Sequence, residues 1–109
     1  MNIGTILAAA ASLLVAGQDA SDPVTIGQKN RTFSKPEITV KVGEKIRFEN
    51  DDAVVHNVFS SSPGHEFNLK TQKPGQKSEL SFDKEGTVEV RCAIHPTMKL
   101  RITVSGVQK

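Results

Sequence analysis

The chain has 109 residues, which sets a single domain as the expectation. Its 14 basic and 12 acidic residues nearly cancel and form no basic run, which argues against a nucleic-acid binder; the small positive balance fits an acidic partner instead. One cysteine, Cys92, excludes an internal disulfide, and the absence of Trp and Tyr leaves five Phe and the branched aliphatics to build the core.

From Ile3 to Val15 the chain is apolar or small and uncharged. That run is shorter than the roughly 20 residues a membrane-crossing helix needs, and it matches the apolar region of a secretory signal peptide. Ala16 and Gly17 offer small residues for cleavage, although no Lys or Arg precedes the run. The expected organisation is a signal peptide over residues 1–17 and one domain over residues 18–109, periplasmic and without stable membrane insertion once processed. A domain of that size buries only about 60% of its unfolded surface, so a bound metal would help to hold it.

Past a polar stretch, Pro23 to Gln28 reads as a first strand and Lys29-Asn30-Arg31 as a turn. Phe33 falls in the next connection, and Pro36 suits a strand start because it cannot donate to a ladder. From Glu37 the period is two, with Ile38, Val40 and Val42 on one side. Gly43-Glu44 turns the chain, Ile46 and Phe48 resume the alternation, and Asn50-Asp51-Asp52 breaks it as a charged turn. Ala53 to Ser60 is β-branched and aromatic, which predicts a strand carrying His56. Ser60 to Gly64 is a loop, and His65 beyond it reads as solvated. Phe67 and Leu69 suggest a short strand, Pro74-Gly75 a turn, and Leu80 with Phe82 one face of the next strand. After Gly86, Val88, Val90 and Cys92 share a face opposite Thr87, Glu89 and Arg91. Leu100, Ile102 and Val104 mark the last strand. With no amphipathic helix, the expectation is all-β: a Greek-key β-sandwich of about seven to eight strands.

The chemistry gathers in Cys92-Ala93-Ile94-His95-Pro96-Thr97-Met98. Thiolate, imidazole and thioether follow at three-residue steps, and His56 supplies a second imidazole from upstream. One Cys, two His and one Met make the donor set of an electron-transfer copper site. Pro96 fixes φ beside His95 and removes an N–H from a crowded loop. Thiol hydrolysis fits less well, since no third orienting residue is evident and a methionine has no place in it.

His56-Asn57-Val58-Phe59 together with Cys92, His95 and Met98 resembles the cupredoxins, the small blue copper proteins that include plastocyanin, pseudoazurin and amicyanin. The Cys-x-x-His-x-x-Met spacing is most similar to that of amicyanins, and the likeness runs from about Val24 to Val104. The resemblance implies one mononuclear type 1 copper per chain, cycling between Cu(I) and Cu(II). It implies His56, Cys92 and His95 as strong ligands and Met98 as a weak axial one. It also implies that the Asn57 backbone N–H reaches the thiolate. Family members often carry Ser or Thr after the Cys as a partner for the Asn side chain; Ala93 stands there in this chain. The expected function is a soluble, monomeric one-electron carrier, not an enzyme, meeting redox partner proteins such as a dehydrogenase or a cytochrome. Copper delivery, or an accessory copper domain of a larger redox system, stands as the alternative.

Overall fold

Alternation of apolar and polar residues along the chain becomes two stacked sheets. The structure is a computed structural model that describes residues 22–106, so the boundary expected at residue 17 lies outside the described residues. In chain order the strands are β1 (Val24–Lys29), β2 (Thr32–Phe33), β3 (Glu37–Lys41), β4 (Ile46–Asn50), β5 (Val58–Ser60), β6 (Phe67–Asn68), β7 (Lys77–Leu80), β8 (Gly86–Cys92) and β9 (Lys99–Ser105). One sheet runs β2-β1-β4-β7 and the other β3-β9-β8-β5-β6. Crossovers between the sheets leave two parallel pairs, β1 with β4 and β3 with β9, among antiparallel neighbours. The all-β sandwich is as expected, with nine strands among the described residues; the additional one is the two-residue arm β2, where a connection was expected.

Inward positions of both sheets meet in the core. Ile26, Ile46 and Phe48 come from the first sheet, and Val40, Val88, Val90, Cys92, Leu100, Ile102 and Val104 from the second. Phe48 lies against Phe33 and Phe67, with ring centroids 6.4 and 6.1 Å away, and Phe67 continues to Phe82 at 6.0 Å. Each such side chain contributes about 1.5–3 kcal/mol by leaving water. The same burial fixes register: a slip of one residue in β8 would carry Cys92 to the solvent side.

The expected strand from Ala53 to Ser60 is shortened to β5, Val58–Ser60. Polar capping removes the first part. Asn50 Nδ2 donates to Val54 O at 2.9 Å, and Asn50 Oδ1 accepts from the Asp52 N–H at 2.9 Å, so residues 50–54 close on themselves. His56 is therefore not on a regular strand. It joins the fold by an isolated bridge to Gln72, exchanging N–H···O bonds of 3.0 and 2.7 Å.

His65 is buried, against the expectation of a solvated residue. Its Nε2 sits 2.9 Å from Lys84 O and its ring packs edge-on against Phe82. Gly86 makes the room, since a Cβ there would come within 2.7 Å of the His65 ring. This packing stands at the Gly86 end of β8, the end opposite Cys92.

Candidate metal centre

Cys92 closes β8 on its inward face, and its register partner is Val58, the first residue of β5. That pairing lays Asn57 beside the sulfur: its N–H donates to Cys92 Sγ at 3.3 Å, and its carbonyl accepts from the Ala93 N–H at 2.9 Å. The implied backbone contact to the thiolate is thus present. The Asn57 side chain, facing Ala93 in place of a hydroxyl, turns instead to Asn68 Oδ1 at 2.9 Å. Beyond Cys92 the loop folds back at once. The Met98 N–H donates to His95 O at 2.9 Å, a tight turn that aims His95 at the strand end and returns Met98 to the core.

His56 Nδ1 and His95 Nδ1 stand 3.1 Å apart, and Cys92 Sγ lies 3.7 and 3.8 Å from them. A point equidistant from three atoms so spaced is about 2 Å from each, close to the 2.0–2.3 Å of metal–nitrogen and metal–sulfur bonds. Two imidazole nitrogens that close, with a thiol sulfur, repel through their lone pairs unless a proton or a metal ion lies between them. His56 and Cys92 are buried and His95 is half-buried. The donor set is soft sulfur plus imidazole, which suits copper in both of its common oxidation states. Among the described residues no other cluster of Cys, His or carboxylates converges in this way. Met98 is buried in the same core cluster as Cys92.

The outer nitrogen of His56 is fixed by Asp52, whose Oδ2 is 3.0 Å from Nε2. The Arg31 N–H donates to the same oxygen at 2.8 Å. Chiefly through that backbone bond, and also through the bond from His56, the Asp52 carboxyl is lowered from 3.8 to about 2. An ionised Asp52 keeps the proton on Nε2 and leaves the Nδ1 lone pair facing Cys92, a carboxylate–histidine arrangement typical of metal ligands. The His95 imidazole is held below the ordinary histidine range by burial first, then by the charges of His56 and Arg31.

Asp52 gives a testable pH dependence. Its folded pKa lies below its unfolded value, so its stabilisation is complete above about pH 4 and drains away as pH falls toward 2. The melting temperature of the metal-free protein is expected to drop across that window. Asp52→Asn should melt lower than the parent at pH 7 and show a smaller further drop between pH 4 and pH 2. Parallel curves for the two proteins would contradict the assignment.

Behind His56 lies a buried amide network that the sequence did not announce. Gln72, bridged to the His56 backbone, donates from Nε2 to Phe48 O at 2.9 Å and accepts from Gln28 Nε2 at 2.7 Å. Asn50 Nδ2 donates to Gln72 O at 2.9 Å. Gln28 and Asn50 occupy inward positions and are register partners on β1 and β4. Amide side chains read as surface residues in a sequence; the one available signal was Gln28 falling two residues after inward Ile26. Asp52 carried only its four-residue spacing from His56.

Comparison with known proteins agrees with this geometry. An amicyanin-alpha of Methylorubrum extorquens is 34% identical over 103 residues, covering 89% of this chain and 85% of that protein. The amicyanin of Paracoccus versutus superposes with a TM-score of 0.71 at 25% identity, over 78% of this chain and 83% of that one. A purple cupredoxin from Nitrosopumilus maritimus gives 0.67 at 26% identity, over 75% and 99%. The family model for copper binding proteins, plastocyanin/azurin family, matches residues 20–105. The chain belongs to that family, the cupredoxins, and is a copper-binding protein of the amicyanin kind rather than an enzyme.

Proposed function

We propose that His56, Cys92 and His95 would hold one copper ion as strong ligands, with Met98 as a weaker fourth, and that the chain is a periplasmic one-electron carrier. The convergence of three soft and borderline donors 3.1–3.8 Å apart carries this reading. Copper held there would supply one-electron chemistry between Cu(II) and Cu(I). The protein supplies rigidity: Cys92 is pinned by its pairing with β5 and by the Asn57 N–H, His56 by Gln72 and Asp52, and His95 by the Met98 turn. Donors that stay put in both states leave little to rearrange when the electron moves.

His95 is the half-buried ligand, and Ile94 and Val55 beside the ligands are the exposed large apolar residues, at 47% and 39% exposure. A small apolar patch around an imidazole edge suits brief docking with a redox protein. Lys99 follows on β9 and favours an acidic partner, whereas Arg101 is paired with Glu89 at 3.1 Å. The likeness to amicyanins supports the copper carrier, and the apolar run from Ile3 to Val15 supports an exported chain processed near residue 17. Mass spectrometry of protein from the native host should then show a chain starting near Gln18; an intact Met1 on cytoplasmic material would refute export.

Copper-loaded protein should show an intense visible thiolate-to-copper band and a narrow EPR hyperfine splitting. Pro96→Glu, on the exposed side of the loop, should slow electron exchange with a redox protein while barely moving the spectrum. A colourless protein with ordinary tetragonal Cu(II) signals would overturn the assignment. Rapid copper loss to a chelator would favour delivery over electron transfer.

A further inference from the structure

The turn between β1 and β2 is built on an unfavourable choice of residue. Asn30 and Arg31 both have positive φ, 54° and 57°. Two left-handed residues in a two-residue hairpin loop make the turn in which Asn-Gly is preferred. Asn tolerates this conformation; Arg at the second position is strained, and glycine would relieve it. The fold needs the Arg31 backbone here, since its N–H holds Asp52, but glycine supplies the same N–H. The side chain is exposed and forms no ion pair among the described residues. Strain is therefore retained for a side chain that does nothing for the fold.

The place of that side chain is informative. Arg31 N–H, Asp52, His56 and His95 follow in one chain of contacts of 2.8, 3.0 and 3.1 Å. The turn thus stands at the metal end of the sandwich, on the rim of the face that bears His95. We propose that Arg31 is a docking residue: its guanidinium meets a carboxylate on the surface of an acidic redox protein and holds that partner over His95. This rests on the electron-carrier reading above. Charge complementarity identifies the occupant, because a free guanidinium at the end of the sandwich that also exposes Ile94 and Val55 favours a partner with an acidic rim around an apolar contact. A planar, five-donor fork also explains why strain is accepted for arginine here, since it pairs a carboxylate through two bonds at once.

The test separates charge from fold. Arg31→Gly should raise the melting temperature of the metal-free protein by about 4 °C, because strain is relieved and the bond to Asp52 is kept. In the copper-loaded protein at low salt, oxidation of Cu(I) by hexacyanoferrate(III), one electron passing to the iron, should slow about two- to five-fold. Oxidation by a cationic one-electron acceptor, tris(phenanthroline)cobalt(III), should not slow. Arg31→Lys should restore most of the rate with the anion but not the melting temperature gain. Equal anion rates for the parent and Arg31→Gly would overturn the inference, as would a fall in melting temperature, which would make the side chain structural. Failure of the parent to exchange electrons with either probe would sink the electron-carrier reading itself.

Discussion

Cys92→Ser is expected to leave the protein folded and colourless. Serine is nearly isosteric, and β8 keeps its pairing with β5 and β9 because those bonds are made by the backbone. The charge-transfer donor is gone, so the intense visible band should vanish altogether rather than weaken. Copper affinity should fall by more than roughly 100-fold, the upper range seen for losing a mere outer partner of a metal ligand. The Asn57 N–H, now 3.3 Å from the sulfur, would face a shorter hydroxyl. Absorption, EPR and a competitive chelator titration read these effects. A band that survives at comparable intensity would remove Cys92 from the site.

Phe48→Ala should have the largest effect on stability. The ring is fully buried between Phe33 and Phe67, so its loss leaves a cavity lined by two aromatics that cannot readily close in. Such truncations cost about 3–5 kcal/mol, a large share of what a small domain possesses. The midpoint of the metal-free protein should fall by about 15–30 °C. Copper should recover much of the loss, since a ligand free at about 1,000 times its dissociation constant adds about 4 kcal/mol to the folded state. Calorimetry with and without copper reads both quantities. A drop under about 5 °C would mean that Phe33 and Phe67 collapse into the space.

What the sequence displayed and what it hid divide along a physical line. The approach of Cys92 and His95 was legible because a three-residue spacing lets one turn bring the two side chains together. β8 and β9 were legible because one face is buried along their whole length, so Val88, Val90, Leu100 and Ile102 alternate cleanly. The segment before β5 misled because Val54 and Val55 favour strands, while the Asn50 side chain claims the Val54 carbonyl and bends the chain away. His65 misled because its neighbours are loop formers, whereas its burial depends on Gly86, far along the chain on β8. Gln28 and Gln72 act through each other from 44 residues apart, and no local pattern marks such a pair.

The parallel pairing of β3 with β9, joining Glu37 to Arg101, also sets a clock. Contacts between such remote parts of the chain must wait for costly loop closure, which places a sandwich of this kind among slow folders, in milliseconds to seconds. β8 is central in the same sheet and is enclosed only when β9 and β5 dock on its two edges. Until then the lone thiol of Cys92 is bare. In an oxidising compartment that interval is the period of greatest danger to the protein, because a sulfenic acid or a mixed disulfide formed on the nascent strand would bar the sulfur from its buried place. Oxidant added during refolding should therefore reduce the yield of copper-competent protein, while the same oxidant added after folding should spare it.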